Sequence, residues 1–425
     1  MAERNAEWMY MDTLRPPVYV CLRRRQTSDD SYAPFEVDGR LDKQEWAHVP
    51  WSDAFIDIEG IERKPKEYPL TRVKMMYDDE FLFVGAELME KQIWGTILQK
   101  NATMYHENDF EVFLNPDGSR HNYYELEMNC LNTIWELVLN KPYKDGYSIQ
   151  NPYNLAHVTT AVYVDGMTNS PLVECNKWSV EVVFRLSELV QFDQQRHRSA
   201  QAGDVWRVNF SRVQYELQIV KDDVTNGLRY EKVPDRREDN IVWAPTGVID
   251  IHRPEKWGFL FFSSSDDEKN GLQELNAAMD DFLCEQIAIE RVLDTIYYDQ
   301  RTHFDKHKLY AGSLEELYGS NLERFPHGDL LHQFQLRPPL IQPSHAGEIT
   351  SDRKRSYLPK LDLEDDGDDD EDDNGQDDGR VDSLNLKALL HPRDGSRPCS
   401  EYIATVESAR QRWSIRHDAK LWKHM

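Results

Sequence analysis

The sequence is poor in cysteine and has no grouping of cysteines that would build a site. Five cysteines are scattered among 425 residues, at positions 21, 130, 175, 284 and 399, and no CxxC pair occurs. An odd, scattered set argues against a disulfide framework or a zinc centre and indicates a reducing compartment. No cofactor is therefore expected from the cysteines.

Long hydrophobic runs are also missing. No stretch approaches the eighteen or so uncharged apolar residues that a membrane-spanning helix needs. Residues 1–15 mix acidic and basic side chains and lack the apolar core of a signal peptide. The sequence predicts a cytoplasmic protein that does not bind a membrane.

Basic residues are in deficit, with 50 Lys and Arg against 76 Asp and Glu, for a formal charge of −26. Such a surface repels phosphate backbones, so nucleic acid is excluded as a partner. Eleven of the carboxylates fall within residues 364–378. This run predicts a solvated spacer in a disordered acidic insertion at 340–398; the alternative is a docking segment for a basic protein partner.

What the sequence does have is a hydrophobic fraction of 40%, enough for a packed core. Residues 33–265 show short segments of period-two alternation separated by turn residues such as those at 115–118. The pattern predicts a mainly β fold, a two-sheet antiparallel β-sandwich of immunoglobulin-like or jelly-roll type. Residues 1–32 are expected to be a polar lead with one edge strand at 17–22.

The pattern changes after residue 265. Apolar residues at three-to-four spacing predict an amphipathic helix near 272–308, within a helical segment at 266–330. Alternation near 401–417 predicts a β-hairpin within residues 399–425, and this hairpin should dock on the helix because an isolated hairpin is unstable. Together they form a small C-terminal α/β subdomain. Excision of residues 362–380 is expected to leave the melting temperature nearly unchanged.

Six segments, in order along the chain, resemble the family 9 carbohydrate-binding modules, and more closely the stand-alone family-9-like proteins. They are Val37–Asp42 with Trp46, Thr71–Val84, Glu107–Leu114, Tyr123–Asn129, Trp206–Arg212 and His252–Gly258. The six segments cover most of residues 35–262.

The resemblance implies a β-sandwich that holds the end of an oligo- or polysaccharide, often with structural calcium. Tyr105 matches the first aromatic clamp, and Glu111 matches the glutamate that binds sugar hydroxyls. Ile251 falls near the place of the second aromatic clamp. Glu127 stands where the family has an arginine.

Strand periodicity identifies candidate ligand-binding residues independently. On a strand, alternate side chains share a face. Three predicted strands each pair an apolar face with a polar one, and the polar faces carry Asp109 and Glu111; Glu125, Glu127 and Asn129; and Arg207 and Asn209. If these faces coincide, Arg207 should lie between the acids and hold them in place for recognition of sugar hydroxyls.

The same pattern is also expected of a solvent-exposed sheet face whose charges are paired with one another. Asp78 and Asp79 could supply oxygen ligands for calcium, although a polar turn between two strands would have the same sequence. Carboxylate pairs such as Asp109 with Glu111, or Glu125 with Glu127, could also serve a glycoside hydrolase. No pair is singled out by its spacing.

Three functions therefore stay open. The first is non-catalytic carbohydrate binding, connected with carbohydrate catabolism. The second is a structural or interaction protein that kept the sandwich and lost the sugar. The third is a carbohydrate-active hydrolase of O-glycosyl bonds.

Overall fold

A computed structural model describes residues 4–27, 31–222, 226–319, 325–344 and 399–424. The acidic run at 364–378 and most of the predicted insertion lie outside these residues. No helix in the described ranges is long and apolar enough to cross a membrane.

The described residues form a mainly β protein with a helical C-terminal region. The strands are β1 (Val18–Arg23), β2 (Ile56–Asp57), β3 (Thr71–Tyr77), β4 (Phe81–Met89), β5 (Asp109–Asn115), β6 (Tyr123–Asn129), β7 (Ile134–Leu139), β8 (Ile149–Gln150), β9 (Thr159–Asp165), β10 (Lys177–Arg185), β11 (Val205–Gln214), β12 (Leu217–Lys221), β13 (Leu228–Lys232), β14 (Asp239–Val242), β15 (Gly258–Phe262), β16 (Leu340–Ser344), β17 (Glu401–Glu407), β18 (Arg412–Arg416) and β19 (Leu421–Lys423). The α-helices are α1 (Ala6–Met11), α2 (Leu186–Leu189), α3 (Glu268–Ala278), α4 (Cys284–His307), α5 (Leu314–Tyr318) and α6 (Gly328–Gln333).

Thirteen strands form one curled sheet, with the main order β8-β7-β6-β5-β11-β15-β1-β3-β4-β10-β9. Strand β1 joins the two halves of this order, because Val18 pairs with Phe259 of β15 and Leu22 pairs with Met76 of β3. Both of these pairings are parallel, whereas the sequence predicted purely antiparallel sheets.

The prediction that residues 17–22 form an edge strand is wrong, because β1 lies in the middle of the sheet order. Its residues Tyr19–Leu22 are all buried. A run that is apolar on both faces is typical of a strand covered on both sides, and an edge strand would need a polar face.

The main hydrophobic core contains residues of β3, β4 and β10 together with residues of β5, β6 and β11. The sequence predicted nine side chains there from alternation, and all nine are in the core: Phe110, Val112, Leu114, Tyr124, Leu126, Met128, Trp206, Val208 and Phe210. The predicted alternation is confirmed, because a shift of the strand register by one residue would have exposed these nine side chains.

A second core belongs to the C-terminal region. Strands β16-β17-β18-β19 form an antiparallel sheet, and α4 packs on β17 and β18 through Leu293, Ile296 and their neighbours. Helix α4 is continuous with α3 through a wider π-helical turn at Met279–Leu283. A loop of four residues, closed by a hydrogen bond from Ser408 N–H to the Gln411 carbonyl, connects β17 to β18.

The N-terminal residues join this second core. Trp8 of α1 stacks on Tyr298 with a centroid separation of 4.8 Å, and its indole N–H donates to Thr295 Oγ1 at 2.8 Å. The N-terminal segment, which was predicted to be a polar lead, thus packs on α4 through Trp8.

Leu293 is fully buried between α4 and the C-terminal sheet. We expect Leu293→Ala to lower the free energy of unfolding by about 2–5 kcal/mol, because it opens a cavity in a packed core. Urea denaturation of the full chain measures this. Leu272→Ala is the matched control, since Leu272 is 45% exposed and should change stability little. Equal effects of the two changes would contradict the packing described.

Candidate functional site

Register brings four carboxylates together on the face of the sheet opposite the main core. Glu111 of β5 lies directly across from Glu127 of β6, and Ser211 of β11 lies across from Glu111 on its other side. Asp109 and Glu125 occupy neighbouring positions on the same face. We call Asp109, Glu111, Glu125 and Glu127 the acidic patch.

The acidic patch is buried, with each side chain at most 5% exposed. One oxygen from each of Asp109, Glu111 and Glu127 lies within 4.8 Å of the others. Asp109 Oδ2, Glu125 Oε2 and Glu127 Oε2 have no hydrogen-bond partner. Among the described residues none of the four forms an ion pair. The alternative of an exposed face with paired charges is therefore wrong.

Burial changes the proton affinity of these groups. Loss of hydration, and then the charge of Glu111, raise the pKa of Asp109 and of Glu125 well above their usual range. Burial likewise raises the pKa of Glu127. It raises the pKa of Glu111 to about 7, although a hydrogen bond with the Ser211 hydroxyl acts in the opposite direction. At neutral pH the patch consequently holds protons, a cation or hydrogen-bond donors.

Aromatic rings border the acidic patch. Tyr105, in a short 3-10 helix at Met104–His106, is 47% exposed, and its ring lies 6.1 Å from that of Trp135, which is directly opposite Glu127. Tyr143 and Tyr147, from the loop after β7, have ring centroids 4.4 Å apart. We call Tyr105, Trp135, Tyr143 and Tyr147 the aromatic rim.

The charges of the acidic patch act on the neighbouring tyrosine hydroxyls. Burial first, and then the charges of Glu125 and Glu127 among other neighbours, raise the pKa of the Tyr143 hydroxyl. The Tyr215 hydroxyl donates to the Tyr105 carbonyl, and Asp109 contributes, after burial and Glu238, to raising the pKa of Tyr215 to about 12. We treat the patch and the rim together as the candidate site.

Two predicted ligand residues have structural roles instead. Asn129 donates to the Ile97 carbonyl and to Glu107 Oε1, and its carbonyl oxygen accepts from two backbone N–H groups. Asn209 exchanges a pair of hydrogen bonds with the Ala244 backbone. Their side-chain atoms are thereby occupied in fixing loops to the sheet.

The prediction that Arg207 holds the acids is wrong. Its guanidinium forms a buried ion pair with Glu290 of α4, donates to the Trp257 carbonyl at 2.6 Å and lies 3.6 Å from the centroid of the Phe259 ring. Arg207 does share the sheet face, but it lies four positions along β11 from the residue opposite Glu111. Helix α4 supplies a nearer carboxylate.

The calcium ligands predicted at Asp78 and Asp79 lie in the turn between β3 and β4. Asp78 accepts from the backbone N–H groups of Glu80 and Phe81, and its carboxylate lies 3.3 Å from Arg24. Asp79 pairs with Arg23. These contacts fit the polar-turn interpretation, and calcium at this turn stays a prediction.

Sequence reasoning missed Ser211, Tyr143 and Tyr147. A signal for the tyrosines was present, because residues 141–147 follow a predicted strand and combine Pro and Gly with two aromatic residues. The ring of Tyr143 also contacts that of His252, with a centroid separation of 4.4 Å. His252 follows Ile251, the non-aromatic residue that falls near the place of the second aromatic clamp. His252 is anchored in turn by a 2.9 Å hydrogen bond with the Tyr123 hydroxyl.

Part of the chain matches a known protein family. Residues 37–174 match the family described as "Carbohydrate family 9 binding domain-like". That range contains the acidic patch and Tyr105 and ends before Arg207. Comparison with curated proteins found no match.

Solved structures resemble the chain at low identity. A protein of Bacteroides uniformis ATCC 8492, provisionally assigned as carbohydrate-binding, is 15% identical, with 59% of this chain and 100% of that chain covered and a TM-score of 0.41. A family 9 carbohydrate-binding module of Caldicellulosiruptor kristjanssonii matches as its cellotriose complex (13% identity, 58% and 94% covered, TM-score 0.35). Its glucose complex matches similarly (14% identity, 58% and 96% covered, TM-score 0.36).

Glu290 compensates the buried charge of Arg207. Glu290→Ala should lower the free energy of unfolding by about 3–5 kcal/mol, because it leaves a guanidinium buried without its partner. Equilibrium denaturation checks this against Asp281→Ala, which removes an exposed ion pair with Arg410 and should change stability by about 0–1 kcal/mol. Similar losses in the two variants would refute a structural role for the Arg207 pair.

The raised pKa of Glu111 predicts a pH-dependent difference in stability between the wild type and Glu111→Gln. The native carboxyl titrates near 7 and the unfolded one near 4.5, so the proton's stabilising contribution is complete below pH 4.5. It is lost as pH rises through 7. The variant should gain on the order of 2 kcal/mol relative to the wild type between pH 5 and 8.

Denaturation of both proteins in EDTA-containing buffers measures this difference and cancels the titration of groups outside the acidic patch. A stability difference that is independent of pH would contradict the raised pKa.

Proposed function

The chain carries a carbohydrate family 9 binding domain-like region at residues 37–174, and on that premise we propose that the acidic patch and the aromatic rim bind a carbohydrate. The observation that carries the proposal is the combination of buried carboxylate oxygens without partners and partly exposed rings beside them. Tyr105, Tyr143 and Tyr147 are 47%, 37% and 49% exposed.

A sugar presents the complementary chemistry. Its hydroxyl groups donate hydrogen bonds, and the unpartnered oxygens of Asp109, Glu125 and Glu127 are acceptors. Its C–H faces stack on aromatic rings, as the exposed ring of Tyr105 allows. A hydroxyl that donates to a buried acceptor is worth about 1–3 kcal/mol when the acceptor is otherwise left unsatisfied.

The fixed position of the acids supports recognition rather than loose attraction. Strand pairing across β5 and β6 holds Glu111 and Glu127 opposite each other, so little conformational entropy is lost when a ligand is bound. We propose binding without bond cleavage, to the end of an oligo- or polysaccharide, in support of carbohydrate catabolism.

A second candidate is a protein-interaction role for a sandwich that has lost sugar binding. The observation in its favour is that Arg207 and Asn209 are occupied by packing, Arg207 by α4 and Asn209 by the loop at Ala244. That end of the sheet face cannot bind hydroxyls. The acidic patch lies at the other end and keeps its free acceptors.

A glycan array probed with the full chain in calcium-containing buffer distinguishes the two functions. We expect binding to a defined set of saccharides, then a loss of about 1.5–3 kcal/mol of binding free energy in Glu111→Gln and a similar loss in Tyr105→Ala, measured by calorimetry. Tyr163→Ala is the matched control, because Tyr163 is a half-buried tyrosine of β9, at the far end of the sheet order.

The outcomes separate clearly. Binding to no saccharide would favour the interaction role, and unchanged affinity in both site variants would place any sugar elsewhere. Chromatography of the incubated saccharide adds a further check, because shortened products would show cleavage and contradict binding alone.

A further inference from the structure

We propose that His303 and His307, in the last two turns of α4, together bind one divalent transition-metal ion of the zinc and nickel class. Helix α4 ends at His307. The two residues are four positions apart, so their side chains are neighbours on one face of the helix. Their ring centroids are 4.4 Å apart. This site belongs to the C-terminal region and is independent of carbohydrate binding.

The separation of the two rings suits a shared ion. Imidazole nitrogens bound to zinc lie about 2.0–2.1 Å from the ion, which places the centroids of two ligating rings roughly 4.5–5 Å apart. The observed separation is only slightly shorter. His307 is exposed, so rotation of its side chain can supply the adjustment without moving the helix.

A hydrogen bond prepares His303 as a ligand. Its Nδ1 lies 2.9 Å from the Leu309 carbonyl oxygen. A carbonyl oxygen only accepts, so Nδ1 donates, and the neutral ring keeps its lone pair on Nε2. Histidines that bind metals almost always have this arrangement, with one ring nitrogen donating to an acceptor and the other facing the ion.

The turn after α4 holds that carbonyl in place. Lys308 ends the helix in the left-handed conformation, with a φ of 60°. The chain then folds back on the helix, where the Ala311 backbone exchanges two hydrogen bonds of 2.8 Å with the buried Gln300 side chain. Because the acceptor is fixed, little conformational entropy is lost at His303 when an ion binds.

The donors specify the class of ion. Asp305, Lys306 and Lys308 carry charges of both signs beside the pair and are exposed, so solvent screens them. The affinity must therefore come from the bonds to nitrogen. Imidazole suits zinc, nickel and copper, whereas calcium and magnesium prefer oxygen. The scattered cysteines argue against a zinc centre built from thiolates, and this site needs none.

Among the residues that the structure describes, this is the one pair of histidine rings in contact. Other histidines are engaged singly, as His121 is with the Asp418 carbonyl and His252 with the Tyr123 hydroxyl. A pair binds an ion more tightly than one imidazole does, because the second bond forms within the molecule. The pair at the end of α4 is therefore distinct from the other histidines.

The experiment is a calorimetric titration of ZnCl₂, and separately of NiCl₂, into the full chain without a polyhistidine tag, after dialysis against EDTA. We expect binding of both ions and a higher melting temperature with zinc than in EDTA, because a ligand that binds the native state stabilises it. Absence of both heat and thermal shift with the two ions would overturn the proposal.

His307→Ala is the diagnostic variant, because it removes one ligand and leaves the hydrogen bond between His303 and Leu309 intact. It should melt with the wild type in EDTA and bind zinc roughly tenfold more weakly or worse. The matched control is His332→Ala, since His332 is also exposed in the last turn of a helix, α6. The control should keep the affinity of the wild type. Undiminished affinity in His307→Ala, or an equal loss in His332→Ala, would refute the assignment.

Discussion

The pairing register between β5 and its neighbours β6 and β11 is the constraint on which the rest depends. One register aligns Glu111 with both Glu127 and Ser211, and the same register turns Phe110, Val112 and Leu114 into the main core. Side chains alternate strictly along a strand, so the apolar face cannot be buried without gathering the acids on the other side. The energy of the core therefore holds the like charges together.

Helix α4 divides the polar face into two parts. At one end it brings Glu290 and Asp294 against Arg207 and Arg120, and the buried charges there are neutralised in pairs. At the other end the acidic patch has no such partner among the described residues, and the cover comes from tyrosines. The same sheet face is thus a docking surface at one end and a candidate binding site at the other.

Sequence alone predicted what is local and periodic. The nine core side chains and the four acids on one face follow from alternation, whereas the roles that the family resemblance implies for Tyr105 and Glu111 stay predictions. What covers the polar face could not be predicted, because Glu290 is 83 residues from Arg207 and nothing in either segment encodes the encounter. The central place of β1 was missed for a similar reason, since its partners β15 and β3 pair with it in parallel from distant parts of the chain.

The departure at Glu127 also gains a physical meaning. An arginine there would lie opposite Glu111 and neutralise it, whereas a glutamate places a second buried carboxyl group against Glu111 and disfavours ionisation of both.

A patch of this kind destabilises the free protein, because several carboxylates lose hydration and repel one another. A fold that depended only on packing would be more stable with an amide or an apolar residue at Glu127. Buried charges that oppose stability are typical of functional sites, where the strain is relieved by the ligand. Glu127 is therefore better explained by the binding role that we propose for the patch than by a contribution to the stability of the fold.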